Sequence, residues 1–393
     1  MRVTHIITRL IVGGAQENTI ATVLGLRRLP GMEVDLISGP TAGPEGSLES
    51  RVSQVPGLLT VVPSLVRPVH PWHDVQAWRR LTQLLRERRP DIVHTHSGKA
   101  GVIGRLAARR ARVPVIVHTI HGPSFGPFQG WLANLAFTSA ERLAGRLTDH
   151  FVVVAEAMAR QYLAAGIGAP DRYTRIFSGF DLRPFLNAAN DPDLRRLLGL
   201  RPDDFVVGKI ARLFQLKGHD DLFAVAPELI RRCPRIQFLL VGDGRWRDRF
   251  ESLARAPGLA GHFVFTGLVA PEEVPRYVGI MDALVHLSLR EGLARALPQA
   301  LAAGKPVVAY DADGAAEVCF NGETGFLVAP GDREALLRAI AGLAEAPDEG
   351  RRLGLRGRAF VERHFAVEDM VAAIARLYRD LLDRRSGADR TGP

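Results

Sequence analysis

Cysteine is almost missing: Cys233 and Cys319 are the only two in 393 residues. They lie far apart without metal-ligand spacing, which excludes a disulfide framework and a thiolate metal centre and fits a reducing compartment. Lysine is nearly as scarce. Only Lys99, Lys209, Lys217 and Lys305 stand among 51 cationic residues, so part of the net charge of +9 reflects a general taste for arginine. No run of about 18 apolar residues occurs, which predicts no membrane-spanning helix. The segment Met1-Arg2-Val3-Thr4-His5-Ile6-Ile7 passes into a strand pattern and then polar and glycine residues, unlike a signal peptide. A cytoplasmic chain is the expectation. The arginines form no basic stripe interleaved with aromatics and no zinc-finger, homeodomain or RNA-binding signature is present, so nucleic acid is not an expected partner.

What is present is the composition of an ordinary globular protein, 47% hydrophobic and 24% charged, in a chain long enough for two cores. Short β-branched runs alternate with helical patterns: Val3 to Ile7, Val34 to Ser38, Asp91 to Thr95, Val115 to Thr119 and Phe151 to Val154. A second series repeats the grammar with Phe205 to Ile210, Ile236 to Val241, Phe263 to Phe265, Ala283 to His286 and Pro306 to Ala309. Such alternation predicts an α/β chain with two parallel sheets. Turn residues cluster around Ser178 to Pro184 and Asn187 to Asp193, where a linker is expected, and the stretch 39–56 reads as a loop. Apolar spacing predicts one helix over Ala359 to Leu382 and a frayed tail beyond Arg384. The expected domains are 1–183, 184–364, and a C-terminal helix with its tail over 365–393.

In doubly wound sheets, ligands sit at the carboxyl ends of strands, where loops present backbone amides and side chains. After the first strand comes Gly13-Gly14, a glycine pair opening a helix, which suits a phosphate or a plain tight turn. It is not GxGxxG, so dinucleotide binding is not indicated. The second series opens Val207-Gly208-Lys209-Ile210-Ala211-Arg212 and continues to Lys217-Gly218-His219. Two cations beyond a strand end suit a pyrophosphate, whose leaving charge needs stabilising without proton transfer. Further on, Ser288-Leu289-Arg290-Glu291-Gly292-Leu293-Ala294 makes an acid-glycine turn before an alanine-rich helix and a Gly304-Lys305-Pro306 entry into another strand.

At that point the chain resembles glycosyltransferase family 4. The match runs through Arg212, Lys217, Glu291 and Gly314-Ala315-Ala316-Glu317 in the second half. In the first half it runs through Gly13-Gly14, Pro90-Asp91-Ile92-Val93-His94-Thr95-His96 and His121-Gly122. The resemblance implies the GT-B architecture, two Rossmann-like domains facing across a cleft, with the C-terminal helix returning to the N-terminal domain. It implies a retaining, metal-independent hexosyltransferase that takes a nucleotide diphosphate sugar as co-substrate and uses no cofactor. The acceptor would be a glycan or a lipid-linked sugar, in cell-surface polysaccharide or lipopolysaccharide synthesis.

Carried over residue by residue, Arg212 and Lys217 would hold the diphosphate and Glu291 hydroxyls of the transferred sugar. Amides of Gly292, Leu293 and Ala294 would meet phosphate, with Gly13 and Gly14 also on the donor side. His121, at the end of the strand Val115 to Thr119, would face the transferred sugar. His94 and His96 share its setting and stay outside the catalytic set. The family usually carries a second glutamate eight positions after the first, on the donor ribose, where this chain has Gln299. Glutamine still accepts from a hydroxyl, so ribose contact can persist.

Asp311-Ala312-Asp313 resembles a metal-binding DxD but sits in a turn without nearby carboxylates, and a turn is the better reading. The aromatics Phe125, Phe128 and Trp131 suit core packing, acceptor stacking or a membrane interface. The excess charge together with Arg105, Arg109, Arg110 and Arg112 suggests peripheral attachment to the anionic inner face of the plasma membrane. Two alternatives stand beside the transferase: a nucleotide-sugar epimerase of the same fold, and an inactive sugar-nucleotide-binding partner hinted at by Gln299.

Overall fold

The computed structural model describes residues 1–390 apart from 42, 44, 45 and 127, and side chains only up to 386. It divides into two compact units, Met1–Phe180 with Val367–Pro393, and Asp181–Ala366.

The first unit runs β1 (Arg2–Ile7), α1 (Gly14–Arg27), β2 (Glu33–Ser38), α2 (Ser50–Ser53), β3 (Leu59–Val61) and α3 (Pro71–Arg88). It continues with β4 (Ile92–His96), α4 (Gly98–Ala111), β5 (Val115–Ile120), α5 (Trp131–Gly145), β6 (His150–Val153), α6 (Glu156–Ala164) and β7 (Tyr173–Arg175). The second unit begins with two short helices, α7 (Arg183–Leu186) and α8 (Pro192–Leu197), in the stretch expected as a linker. Then come β8 (Phe205–Ile210), α9 (His219–Arg232), β9 (Ile236–Val241), α10 (Arg247–Ala254), β10 (Phe263–Gly267), α11 (Val274–Gly279) and β11 (Ala283–His286). It closes with α12 (Ala296–Ala302), β12 (Val307–Tyr310), β13 (Gly325–Val328), α13 (Arg333–Glu345) and α14 (Pro347–His364). The chain then re-enters the first unit as α15 (Val367–Arg390).

Each sheet is wholly parallel and doubly wound, in the orders β3-β2-β1-β4-β5-β6-β7 and β10-β9-β8-β11-β12-β13. All ten strands expected from the sequence are present. The three that escaped it, β3, β7 and β13, are short and add to the others as edges. The single helix expected over Ala359 to Leu382 is two. Phe365 and Ala366 interrupt it: Phe365 is fully buried, and its amide bonds back to Val361 O at 2.9 Å as α14 ends. The backbone of α15 stays helical to Arg390, beyond the point where fraying was expected. Residues 391–393 lie outside the described residues, as do Ala42, Pro44 and Glu45 of the expected loop over 39–56.

Helix α15 lies against α1, where Met370, Val371, Ile374, Ala375 and Tyr378 join the core under β1 and β2. The approach is close: a Cβ at Gly25 would come within 2.4 Å of Val371. On the opposite side, α4 bears a stripe of small residues. A Cβ at Gly101 would meet His118 at 2.5 Å, so the helix settles directly onto β4 and β5. The core of the second unit gathers the apolar faces of β8, β9, β11 and α9, with Phe223 stacked on Phe263 at 4.2 Å.

Candidate active site

A doubly wound sheet opens a crevice where its strand order reverses, beyond the carboxyl ends of the two central strands. In the second unit those strands are β8 and β11. The loop after β8 carries Arg212 and Lys217, and the segment after β11 carries Ser288 and Glu291. Lys217 and Glu291 form an ion pair, and Lys217 Nζ also donates to Ser288 Oγ at 3.2 Å. Glu291 is fixed again through its backbone, whose N–H donates to Asp313 Oδ2 at 2.7 Å. Asp313 thus serves the turn, as expected, and a carboxylate there orders the loop that holds Glu291.

The approach of the two loops is demanding. Gly218, the N-cap of α9, has φ 66°, and a Cβ there would lie 2.1 Å from Leu287 O. Only glycine fits. Leu216, two residues earlier, takes φ 67° although it has a side chain, and its carbonyl accepts from Leu289 N at 2.8 Å. A non-glycine residue in this region costs about 1 to 3 kcal/mol and persists only where surrounding contacts impose it. Here the strain sits beside Lys217.

Burial pushes the Glu291 carboxyl up, but the Lys217 ammonium and the hydrogen bonds of Lys217 and Ser288 outweigh it, so the group stays ionised below its ordinary range. Behind this pair, Lys209 on β8 is fully buried, and its Nζ has no hydrogen-bond partner among the described residues. Desolvation and the neighbouring Lys217 lower it to about 7. His286, at the end of β11, is buried and pushed down to about 3, and is therefore neutral. In the sequence Lys209 stands out as a scarce lysine within the strand run Val207 to Arg212, with no assigned role. Its inward side chain follows from strand alternation, but the absence of a partner does not.

Arg212 is exposed, its guanidinium 5.9 Å from the Phe214 ring centroid. Gly292 and Leu293 are buried, and Gly292 O accepts from Gly314 N at 3.0 Å. Ala294 and Gln299 are half-buried, Gln299 on α12. The structure thus brings Lys217 and Glu291 into contact, with Arg212 on the same loop as Lys217 and Gln299 on α12.

The reversal in the first unit lies between β1 and β4. Gly13 caps α1 beyond β1, its carbonyl accepting from Glu17 N at 2.9 Å, and Gly14 is the first helical residue. A Cβ at Gly13 would meet only the flexible end of Gln16. His121 follows β5, half-buried, and burial pushes it down to about 3. Its Nε2 lies 3.0 Å from Nδ1 of His96, whose Nε2 is 2.9 Å from His5 Nδ1. His96 therefore backs His121 directly, and His5 stands behind His96. Alternation along β4 puts His94 and His96 on one face, and parallel pairing sets His5 level with His94 and Thr119 level with His96. That pattern was readable in His94-Thr95-His96 and Thr119-Ile120-His121, but the register was not.

One arginine of the suggested membrane patch is otherwise employed. Arg105 is fully buried, paired with Glu141 at 2.6 Å and donating to Gly101 O at 2.8 Å and Thr148 Oγ1 at 3.2 Å, so it cannot touch a membrane. Arg109, Arg110 and Arg112 are exposed. Phe125 packs in the core with its ring 4.9 Å from Tyr162, whereas Trp131 is 74% exposed and takes no part in it.

Residues 13–179 match the family Glycosyl transferase 4-like domain, and residues 190–360 match Glycosyl transferases group 1. A GDP-mannose-dependent alpha-(1-6)-phosphatidylinositol monomannoside mannosyltransferase of Mycolicibacterium smegmatis is 31% identical over 305 residues, covering 74% of this chain and 75% of the relative. This chain belongs to glycosyltransferase family 4. The Escherichia coli UDP-Gal:alpha-D-GlcNAc-diphosphoundecaprenol alpha-1,3-galactosyltransferase is 29% identical to this glycosyltransferase, covering 71% of this chain and 73% of the relative. Anabaena HepE in complex with UDP superposes with a TM-score of 0.80 at 25% identity, covering 97% of this glycosyltransferase and all of HepE. The fold is accordingly GT-B. No helix among the described residues of the glycosyltransferase is long and apolar enough to cross a membrane.

Proposed function

We propose that this glycosyltransferase moves a hexose, with retention and without a metal ion, from a nucleotide diphosphate sugar bound by its second unit to a glycan or lipid-linked acceptor. The observation that carries the reading is the Lys217–Ser288–Glu291 cluster at the reversal point between β8 and β11. In the donor-free protein the ion pair holds two groups of opposite purpose in place. An arriving diphosphate takes over Lys217, and hydroxyls of the sugar donate to the released Glu291. Arg212 on the same loop adds a second cation to the diphosphate, and amides of Gly292, Leu293 and Ala294 add donors. Gln299 accepts from the ribose. Positioning and electrostatic stabilisation of the leaving charge then supply most of the acceleration. His121, with Gly13 and Gly14, belongs to the part of the site carried by the first unit.

The relatives named above use UDP-Gal with a diphosphoundecaprenol acceptor and GDP-mannose with a phosphatidylinositol one, which supports a lipid-linked acceptor here. A peripheral membrane site is supported by the first unit. Arg109, Arg110 and Arg112 border a groove of about 620 Å³ lined also by Val75, Trp78, Ile103 and Leu106. Trp131, Leu132 and Leu135 stand exposed on α5, which packs against α4. Co-sedimentation with anionic liposomes should weaken as salt rises. Indifference to such liposomes at low salt would remove the membrane from the picture.

Thermal-shift titration with uridine, guanosine and adenosine diphosphates should single out one base, because a ligand that binds only the folded state raises its melting point. Transfer from the matching donor should survive a chelator. Lys217→Ala should cost about 10- to 100-fold in kcat/KM and Arg212→Ala somewhat less, since a charge-assisted hydrogen bond contributes roughly 1.5 to 3 kcal/mol. Near-normal turnover in both variants contradicts the site. Binding without transfer to any glycan or lipid-linked acceptor contradicts the reaction.

A further inference from the structure

Four histidines, a tyrosine and a threonine in the first unit form one continuous chain of hydrogen bonds. It runs from His121 Nε2 to His96 Nδ1 (3.0 Å), from His96 Nε2 to His5 Nδ1 (2.9 Å), and from His5 Nε2 to the Tyr378 hydroxyl (3.3 Å). From there it passes to His94 Nδ1 (2.5 Å) and from His94 Nε2 to Thr119 Oγ1 (2.6 Å). His5, His94, His96 and Tyr378 are fully buried, and Tyr378 reaches the chain from α15.

Such a chain has a direction. A neutral imidazole has one nitrogen that donates and one that accepts. Burial keeps these rings neutral, with His5 and His121 pushed down to about 3 and His94 and His96 also well below their ordinary value. Each ring therefore hands the direction on to the next, and the Tyr378 hydroxyl, with a single proton, decides it. A phenol is a much stronger acid than a neutral imidazole N–H. The short contact at His94 Nδ1 is then O–H···N, with Tyr378 as donor. Its oxygen accepts from His5 Nε2–H, His5 Nδ1 accepts from His96 Nε2–H, and His96 Nδ1 accepts from His121 Nε2–H. Nδ1 of His121, outside the chain, is left with a lone pair.

We infer that this chain sets which nitrogen of His121 carries the proton, presenting a hydrogen-bond acceptor at Nδ1, and that Tyr378, His5 and His96 are positioning residues for the transferase. The acceptor nitrogen suits a substrate hydroxyl. That last step rests on the proposed placement of His121 beside the transferred sugar; the tautomer does not.

His5, His94 and His96 also have nitrogens at the spacing of a metal site. Every ring nitrogen of the three is already engaged in the chain, and the rings stack, His94 on His96 at 4.4 Å and His5 on His96 at 5.2 Å. A cation would have to break bonds that satisfy the whole cluster, so the proton chain is the better account.

Two-bond proton–nitrogen correlation spectra of the full-length, donor-free protein labelled with ¹⁵N-histidine test this directly. Native His121 should show a protonated Nε2 and an unprotonated Nδ1. In Tyr378→Phe and in His5→Leu both tautomers of His121 should appear, with kcat lowered roughly 3- to 10-fold and nucleotide diphosphate affinity unchanged. A native Nδ1–H, or one unaltered tautomer in both variants, overturns the inference. So does a stoichiometric metal ion found by elemental analysis of the purified protein. If a variant fails to fold, the native spectrum still decides. Should no transfer activity exist at all, the proposed function falls while the tautomer remains measured.

Discussion

Lys209 shows how much one side chain can set against the fold. A buried ammonium with no partner among the described residues is costly, and the group answers by giving up its proton near neutrality, at about 7 instead of 10.5. Between those two values the unfolded chain holds a proton that the folded chain has lost, so stability rises with pH across that window. Below pH 7 both states are protonated and the full penalty stands. Lys209→Met should therefore stabilise the protein at pH 6 by about 1 to 3 kcal/mol, an advantage that shrinks as the pH approaches 10. Urea denaturation of the two proteins at pH 6 and pH 9.5 measures it. A destabilised variant at pH 6 would mean that the amine is paired or hydrated. Next to Lys217 and Glu291, such a residue adds positive potential to the site below pH 7 at some expense to stability.

At the scale of elements, the segment leading from β5 to α5 is held by a buried ionic network rather than by apolar packing alone. Glu141 of α5 pairs with Arg105 of α4 and accepts from Ser124 Oγ at 3.1 Å, and Ser124 in turn meets the Tyr162 hydroxyl at 3.1 Å. Removing one partner leaves a charge stranded in the interior. Glu141→Ala should cost about 3 to 5 kcal/mol, read by chemical denaturation, and should loosen residues 122–126 in hydrogen exchange. A loss below about 1 kcal/mol would mean that water reaches Arg105. The same network marks a limit of what local sequence carries. Ten strands announced themselves through β-branched or apolar runs, whereas β3, β7 and β13 are edge strands of three or four residues and depend on a single neighbour for pairing. Lys217 and Glu291 could be named from motif and spacing, being next to strand ends. Arg105 was mistaken for a surface charge because its partner stands 36 positions away. His5 went unnoticed because a histidine in a strand carries no local signal, and its link to His96 spans 91 positions.

For the whole molecule, the chain enters the second unit at Asp181 and leaves it at Ala366, returning to the first as α15. Met370 anchors that return: its sulfur accepts from Asn18 Nδ2 at 3.1 Å and from Gly179 N at 3.2 Å, while Ile374 and Tyr378 fill the core under β1. A chain ending at Ala366 exposes that surface. Each buried side chain lost is worth roughly 1.5 to 3 kcal/mol, so the first unit should lose its cooperative unfolding while the second keeps its own. Hydrogen exchange resolved by segment distinguishes them. Unchanged protection in β1, β2 and α1 would show that α15 is dispensable.

This division of the chain also sets an order of events at the ribosome. Domains generally fold as the polypeptide emerges, N-terminal first, at about 5 to 20 residues per second. Here the N-terminal unit cannot finish first, because its last helix is encoded after the whole of the other unit. Roughly 10 to 40 s of synthesis separate Phe180 from Val367 at those speeds. Through that interval the seat of Met370, Ile374 and Tyr378 stays uncovered, with His5 and His94 beneath it lacking the tyrosine hydroxyl that will order them. The earliest part of the chain to be made is thus the latest to be completed, and its nascent form is the one a chaperone would find with an open apolar seam.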